Sequence, residues 1–139
     1  MFNFPAVYRF ISTSNETIYI GSAKVLARRM SAHKNNGHLP KECYQSISRI
    51  EYVKCPTHGD ALKLEADLID YYRPHYNKML KRKDIDVQLD PIIEKINWKL
   101  YKELKPLESD KIEANRKEDF KALVVAAALF VGVILLLVT

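Results

Sequence analysis

Apolar positions along the chain fall into three regimes: short runs broken by turn residues, then a helix-period stripe from 91 to 104, then an unbroken apolar stretch from 122 to 138. In the first regime, Ala6-Val7-Tyr8-Arg9-Phe10-Ile11 and Thr17-Ile18-Tyr19-Ile20 are rich in β-branched and aromatic residues and predict two strands. Ser12 to Glu16 is the hairpin loop between them. Gly21 ends the second strand, and Ser22 is the expected N-cap of a helix running from Ala23 to His33, stopped by Asn35-Asn36-Gly37. Ile47 to Lys54 predicts a third strand. After the turn Cys55-Pro56-Thr57-His58-Gly59, a second helix is expected from Asp60 to about Tyr72, halted before Pro74. These elements predict an α+β domain, a small three-stranded antiparallel sheet flanked by helices, over residues 1–83.

The second regime begins at Asp90-Pro91, a capping residue followed by proline at a first helical position. Ile93, Ile96, Leu100 and Leu104 then recur at helical spacing and predict an amphipathic helix ended by Pro106, with its stripe on the core or on a second copy of the chain. A homodimer through residues 92–104 is the corresponding expectation. With the mostly charged stretch 107–121 as a stalk, this region is read as a unit of residues 84–121.

The third regime is a membrane-segment candidate. Residues 122–138 contain 16 apolar residues and Gly132, with no charge. As a helix they span about 26 Å at ~1.5 Å per residue, the lower limit for crossing a hydrocarbon core. A domain this small has too little surface to wrap a helix that is apolar on every face. The stretch is therefore expected to be a single C-terminal transmembrane helix, a tail anchor. Arg116, Lys117 and Lys121 on its N-terminal flank place the main domain in the cytoplasm, at a bacterial or phage-encoded inner-membrane location. No secretory signal is expected at Met1-Phe2-Asn3-Phe4.

Charge sharpens the N-terminal reading. The whole chain has a formal net charge of +5, but residues 1–83 hold 14 Lys/Arg against 7 Asp/Glu, while 84–121 hold 8 against 10. A basic small domain suits a polyanion such as nucleic acid, through phosphate neutralisation. The apolar content excludes a disordered chain, and Cys43 and Cys55, the two cysteines, exclude a disulfide-built miniprotein and offer no zinc spacing. One apolar span excludes a polytopic membrane protein.

Spacing brings candidate side chains together. Arg29 and His33 stand four apart, on one helix face, with Leu26 and Met30 on the adjacent strip. Tyr8 and Tyr19 lie on neighbouring strands and are placed to share a sheet face. Glu65 falls with Leu62, Ile69 and Tyr72 on or beside the apolar stripe of its helix, where periodicity alone favours a boundary carboxylate turned to solvent and the alternative is one partnered by a divalent cation or an arginine.

The order Ala6-Val7-Tyr8, Tyr19-Ile20-Gly21, Arg29, His33, Glu65 and Asn77 resembles the core of the GIY-YIG nucleases. Leu64-Glu65-Ala66-Asp67-Leu68-Ile69 looks like that family's glutamate helix, and Pro74-His75-Tyr76-Asn77 like its Pro-x-aromatic-Asn ending. The run Tyr19-Ile20-Gly21-Ser22-Ala23-Lys24 is similar to the phage homing-endonuclease branch. The resemblance implies the GIY-YIG fold and hydrolysis of DNA phosphodiesters with one divalent metal, Mg²⁺ or Mn²⁺. It implies Glu65 as metal ligand and Arg29 as the charge stabiliser at the scissile phosphate. It implies Tyr8 as general base or orienting group and Tyr19 as a partner of water or phosphate. His33 is implied in proton transfer or phosphate binding, and Asn77 as the residue that holds the glutamate helix and nearby groups by hydrogen bonds. Two positions depart from the pattern: Ala6 stands where Gly is commonest, and Ser22 where several branches have lysine, so no lysine is expected to lower the tyrosine's pKa. His38 and His58 have no family role. Lys24, Arg28, Lys34 and Lys41 are the expected non-specific phosphate contacts. Residues 84–121 are short and acidic, so low sequence specificity or recognition of a DNA structure is expected. The reading is a membrane-tethered, metal-dependent DNA endonuclease acting on DNA that enters or contacts the membrane. The alternative is a catalytically silent module of the same fold that binds DNA or a protein there.

Overall fold

A computed structural model of the chain describes residues 1–78, 91–105 and 113–126. The chain divides after Lys105 into two units. In the first, strands β1 (Ala6–Ser12), β2 (Thr17–Ala23), β3 (Ile47–Lys54) and β4 (Lys99–Glu103) form one antiparallel sheet in the order β2-β1-β3-β4. Helices α1 (Leu26–Asn36), α2 (Lys41–Ser46), α3 (His58–Tyr72) and the single turn α4 (Pro91–Glu94) complete it. The α+β class and the antiparallel sheet agree with the sequence, but the sheet has four strands where three were expected.

Strand alternation sorts β1 onto two cores. Tyr8 and Phe10 point to one face, with Leu26 and Met30 of α1 and Cys43 of α2. Val7 points to the other, with Ile20 of β2 and Ala61, Leu68 and Ile69 of α3. The hairpin loop turns at Asn15, whose φ of 64° is the left-handed conformation that Asn tolerates. Arg73 caps α3 at φ 48°, its N–H donating to the Ile69 carbonyl, because Pro74 cannot follow a helical residue.

Three helix boundaries differ from expectation for local reasons. Ser22 is not an N-cap: β2 runs on to Ala23 and α1 starts at Leu26. Its first free N–H groups are satisfied by backbone instead, Leu26 donating to the Phe4 carbonyl at 3.2 Å and Ala27 to that of Phe2 at 3.0 Å. Helix α3 starts two residues early, because Thr57 and Asp60 form a reciprocal capping box. Helix α2 was not anticipated.

The amphipathic helix expected from Pro91 to Leu104 is replaced by α4 and β4. Ile93 and Ile96 of its stripe pack into the α3-side core, whereas Leu100 and Leu104 are exposed. The strand form wins because alternation gives Tyr101 an inward position, 4.7 Å from the Phe2 ring. Trp98 lies under the Arg9 guanidinium at 4.2 Å. A dimer seam made of one helical stripe is therefore absent among the described residues.

In the second unit, residues 113–126 are helical, with an ion pair between Glu113 and Lys117 at 2.8 Å. Phe120, Leu123, Val124 and Val125 are exposed on it. Among the described residues no helix is long and apolar enough to cross a membrane. Most of the expected span, residues 127–138, lies outside the described residues, as do 84–90 and 106–112 of the expected stalk region.

Candidate active site

The site is built around the middle of β1. Tyr8 stands opposite Gly21 of β2 and Tyr52 of β3. Its ring lies across Gly21 so closely that a Cβ there would collide with the phenol. Gly21 is thus fixed by its neighbour's side chain, not by backbone conformation. Tyr8 is completely buried, and its hydroxyl is the hub of a chain of hydrogen bonds. Arg29 Nε donates to Tyr8 Oη at 3.0 Å. Tyr8 Oη meets His33 Nε2 at 2.7 Å, and His33 Nδ1 meets Tyr44 Oη at 2.9 Å.

The proton order follows from burial. Tyr8 has no access to water, so its own proton goes to His33 Nε2 while it accepts from Arg29. His33 Nδ1–H then donates to Tyr44, whose half-buried hydroxyl is free to turn its proton to solvent and also accepts the Leu39 N–H. A neutral imidazole thereby accepts the Tyr8 hydrogen bond and fixes the direction of the phenol. The i, i+4 pair Arg29 and His33 reaches one phenol from successive turns of α1, as their spacing requires.

The electrostatics agree with this order. Burial, reinforced by neighbouring Tyr19, pushes Tyr8 well above the usual phenol range, and the Arg29 hydrogen bond offsets this only in part. His33 is pushed down to about 4 by burial, then by the charge of Arg29 and by His38. For Arg29 burial works against the charge, but the Tyr8 hydrogen bond and the two phenols outweigh it and raise its pKa.

Tyr19 belongs to the same cluster, its ring centroid 6.1 Å from Tyr8 and 5.9 Å from His33. Its hydroxyl lies 3.4 Å from His38 Nε2. Burial raises its pKa, and Glu65 is near enough to add to the rise. Glu65 comes from α3, on the other side of β2, and accepts the Ser22 hydroxyl proton at 2.5 Å. Among the described residues no three His, Cys, Asp or Glu side chains gather as a metal cage. Glu65 is near enough to act on one of the two phenols, that of Tyr19. Asn77 is buried and holds β2 itself, accepting from the Ile20 N–H at 2.9 Å and donating to the Ile20 carbonyl at 2.8 Å. This clamp pins the strand that carries Tyr19, Gly21 and Ser22 to the segment following α3.

The six expected site residues connect in steps: Tyr8, Arg29 and His33 bond directly, Tyr19 borders them, Glu65 reaches the set through Tyr19, and Asn77 clamps the strand that carries Tyr19. Tyr44, His38 and Ser22 were missed as members. Nothing in the spacing of residues 38–46 marks Tyr44, whereas the pairing of Ser22 on β2 with a helix carboxylate was open to a reader who had extended that strand. The four expected phosphate contacts are exposed and split into two places. Lys24 and Arg28 line a depression with Ser22, Arg29 and His58, whereas Lys34 and Lys41 line a groove with His33 and Tyr44.

Residues 4–78, more than half of the chain, match the UvrC-like GIY-YIG domain. The chain belongs to this family. It is 38% identical over 80 residues to UvrABC system protein C of Bacteroides thetaiotaomicron, covering 55% of this chain and 13% of that protein. It is 38% identical over 81 residues to the protein of the same name from Clostridium novyi, with the same shares. Among solved structures it is similar to the GIY-YIG N-terminal endonuclease domain of UvrC from Thermotoga maritima, bound to its catalytic divalent cation, magnesium. That likeness has 32% identity and a TM-score of 0.49, over 55% of this chain and 85% of the other. The chain spans 13% of the length of the UvrC proteins it matches. The GIY-YIG match contains all six site residues and stops short of β4.

Proposed function

We propose that the domain is a divalent-metal-dependent endonuclease that hydrolyses DNA phosphodiesters. The observation that carries this reading is Arg29: a half-buried guanidinium whose side-chain hydrogen bond goes to a neutral phenol, with a second phenol, Tyr19, beside it. Among the described residues no carboxylate pairs with it, so its positive charge is left for an anion, and the basic exposed residues around it favour a phosphate.

The donor set fits a hard cation held loosely. Mg²⁺ is commonly bound through one or two carboxylates plus waters and substrate phosphate, and Glu65 supplies one carboxylate, oriented by Ser22. When bound, the cation supplies charge neutralisation at the phosphate. Arg29 turns onto a non-bridging phosphate oxygen and stabilises the charge that develops there. That movement uncovers Tyr8 Oη, which accepts a hydrogen bond from the attacking water and orients it while His33 holds the phenol's own proton. Tyr19 orients the water or the phosphate, and Asn77 keeps β2 in place. Residues 84–121 are short, which favours recognition of DNA shape over a long target sequence. The silent-module alternative is disfavoured because a binding scaffold has no need of the buried Arg29–Tyr8–His33–Tyr44 chain. Incubating the purified protein with supercoiled plasmid tests the reading. Nicked or linear product is expected in Mg²⁺ and its loss in EDTA; intact plasmid in Mg²⁺, or equal nicking in EDTA, overturns it.

The same reading places the domain at a membrane, tethered through residues 122–138 and facing the cytoplasm. Exposed Phe120, Leu123, Val124 and Val125 support it, since four large apolar side chains on one short helix want a non-aqueous neighbour. Carbonate extraction of the expressed protein tests the tether: retention in the pellet is expected, and release into the supernatant removes it.

A further inference from the structure

We infer that the groove between α1, α2 and β4 receives an unpaired nucleotide of the DNA strand being cut, so that the enzyme favours DNA with locally unpaired bases. The inference rests on the nuclease reading above and names its substrate class.

The groove has a volume of about 740 Å³, within the range of about 300–1,000 Å³ usual for ligand clefts. Three exposed lysines, Lys34, Lys41 and Lys102, stand on its rim, and among the described residues no carboxylate lines it. Its interior is apolar and holds two half-buried rings, Tyr44 and Tyr101. Basic rim and aromatic interior together match a single strand, whose phosphates want cations while its unstacked bases want a ring to lie on. A fully paired duplex offers only the first, because its bases are already stacked.

Position adds to chemistry. His33 is shared: its Nδ1 side meets Tyr44 in the groove and its Nε2 side meets Tyr8 in the active site. A base lying against Tyr44 is thus one imidazole away from the phenol of the site. The far wall, with Tyr101 and Lys102, is β4, which lies beyond the family-matched residues. That wall is held in place, with the Leu104 and Lys105 N–H groups both donating to the Ser48 carbonyl and the Lys105 amine bonding the Gln45 carbonyl of α2.

The test is fluorescence anisotropy of the full chain in EDTA, with a labelled duplex carrying a short bulge and the same duplex fully paired. The bulged probe is expected to bind about tenfold tighter, the size of one base–aromatic stack. The double variant Lys41→Glu, Lys102→Glu closes the groove rim to the strand that enters it, so it weakens the bulged probe more than the paired one and brings the ratio toward one; Tyr101→Ser lowers the ratio with little effect on the paired probe. Since Tyr101 also packs on Phe2, the surface lysine pair keeps the test decisive if that variant misfolds. Equal affinities in the wild type, or a ratio unchanged in the lysine variant, overturn the proposal. Cleavage with equal affinities sinks the groove and spares the nuclease; bulge preference without Mg²⁺-dependent cleavage does the reverse.

Discussion

Two arginines meet the central strand from opposite faces, one through Tyr8 and the other as its neighbour Arg9, and their surroundings differ in kind. Arg9 is neutralised: it bonds Glu51 through Nε at 2.7 Å and pairs with it at 2.6 Å through a second nitrogen. It also donates to Tyr72 Oη at 3.0 Å and stacks on Trp98. Burial alone would raise the Glu51 pKa, but its bonds with Arg49 and Arg9 outweigh that and hold it below the usual carboxylate range. Arg29, by contrast, has a phenol where Arg9 has a carboxylate. A cation that is compensated inside the fold joins β1, β3, α3 and the Trp98 segment; a cation that is held but not compensated keeps its charge for a ligand. The contrast separates structural from functional arginine within one small domain.

The largest expected break in that contrast is Arg29→Ala. It is expected to slow single-turnover plasmid cleavage by about 10²–10³-fold, the cost of removing one preorganised donor to developing charge, with the thermal midpoint nearly unchanged. Arg9→Ala is expected to do the opposite. It leaves Glu51 half-compensated and uncovers Trp98, so urea unfolding is expected to show a loss of about 3 kcal/mol with the cleavage rate at saturating Mg²⁺ preserved. If both variants lose rate, or both lose stability, the distinction between the two arginines fails.

How far this was legible in sequence depends on the range of the interactions. The hairpin, β3 and α3 rest on local pattern and turn chemistry, and so does the i, i+4 pairing of Arg29 with His33. The segment 91–104 was misread because Ile93, Ile96, Leu100 and Leu104 fit a helix period, while the tertiary partners that favour a strand, Phe2 and Arg9, lie about 90 to 100 residues away. The start of α1 was missed for a related reason: its cap is made by the carbonyls of Phe2 and Phe4, and backbone groups leave no mark in a sequence. The six candidate site residues were expected from a family pattern, not from local periodicity. Tyr44 lies outside that pattern, on a one-and-a-half-turn helix with no periodic signal.

A smaller effect tests how Glu65 is held. Ser22→Ala removes the hydroxyl that orients the carboxylate, and is expected to raise the Mg²⁺ concentration for half-maximal cleavage by about 10–100-fold while the rate at saturating Mg²⁺ recovers. Ser22→Thr keeps the hydroxyl and is expected to restore the wild-type midpoint. A variant that behaves as wild type would mean that the Ser22 bond does nothing for the metal ligand.

The smallest effect is on pH. His33 has a folded-state pKa of about 4 against an ordinary 6.5. Its neutral ring therefore contributes stability in full above about pH 6.5, and this contribution is lost as pH falls through 4. An NMR titration of the histidine ring protons is expected to show one of the four histidines with a midpoint near 4, absent in His33→Ala. A His33 midpoint near 6.5 would mean that the ring is open to water and not enclosed between Tyr8 and Tyr44.

The most direct measurement is the Mg²⁺-dependent rate of plasmid cleavage by the wild-type chain beside that of Glu65→Ala. The account predicts cleavage by the first and none above background by the second at any Mg²⁺ concentration, with both proteins folded. Equal cleavage by the two would contradict it, because the carboxylate beside Tyr19 and Ser22 would then have no part in the reaction.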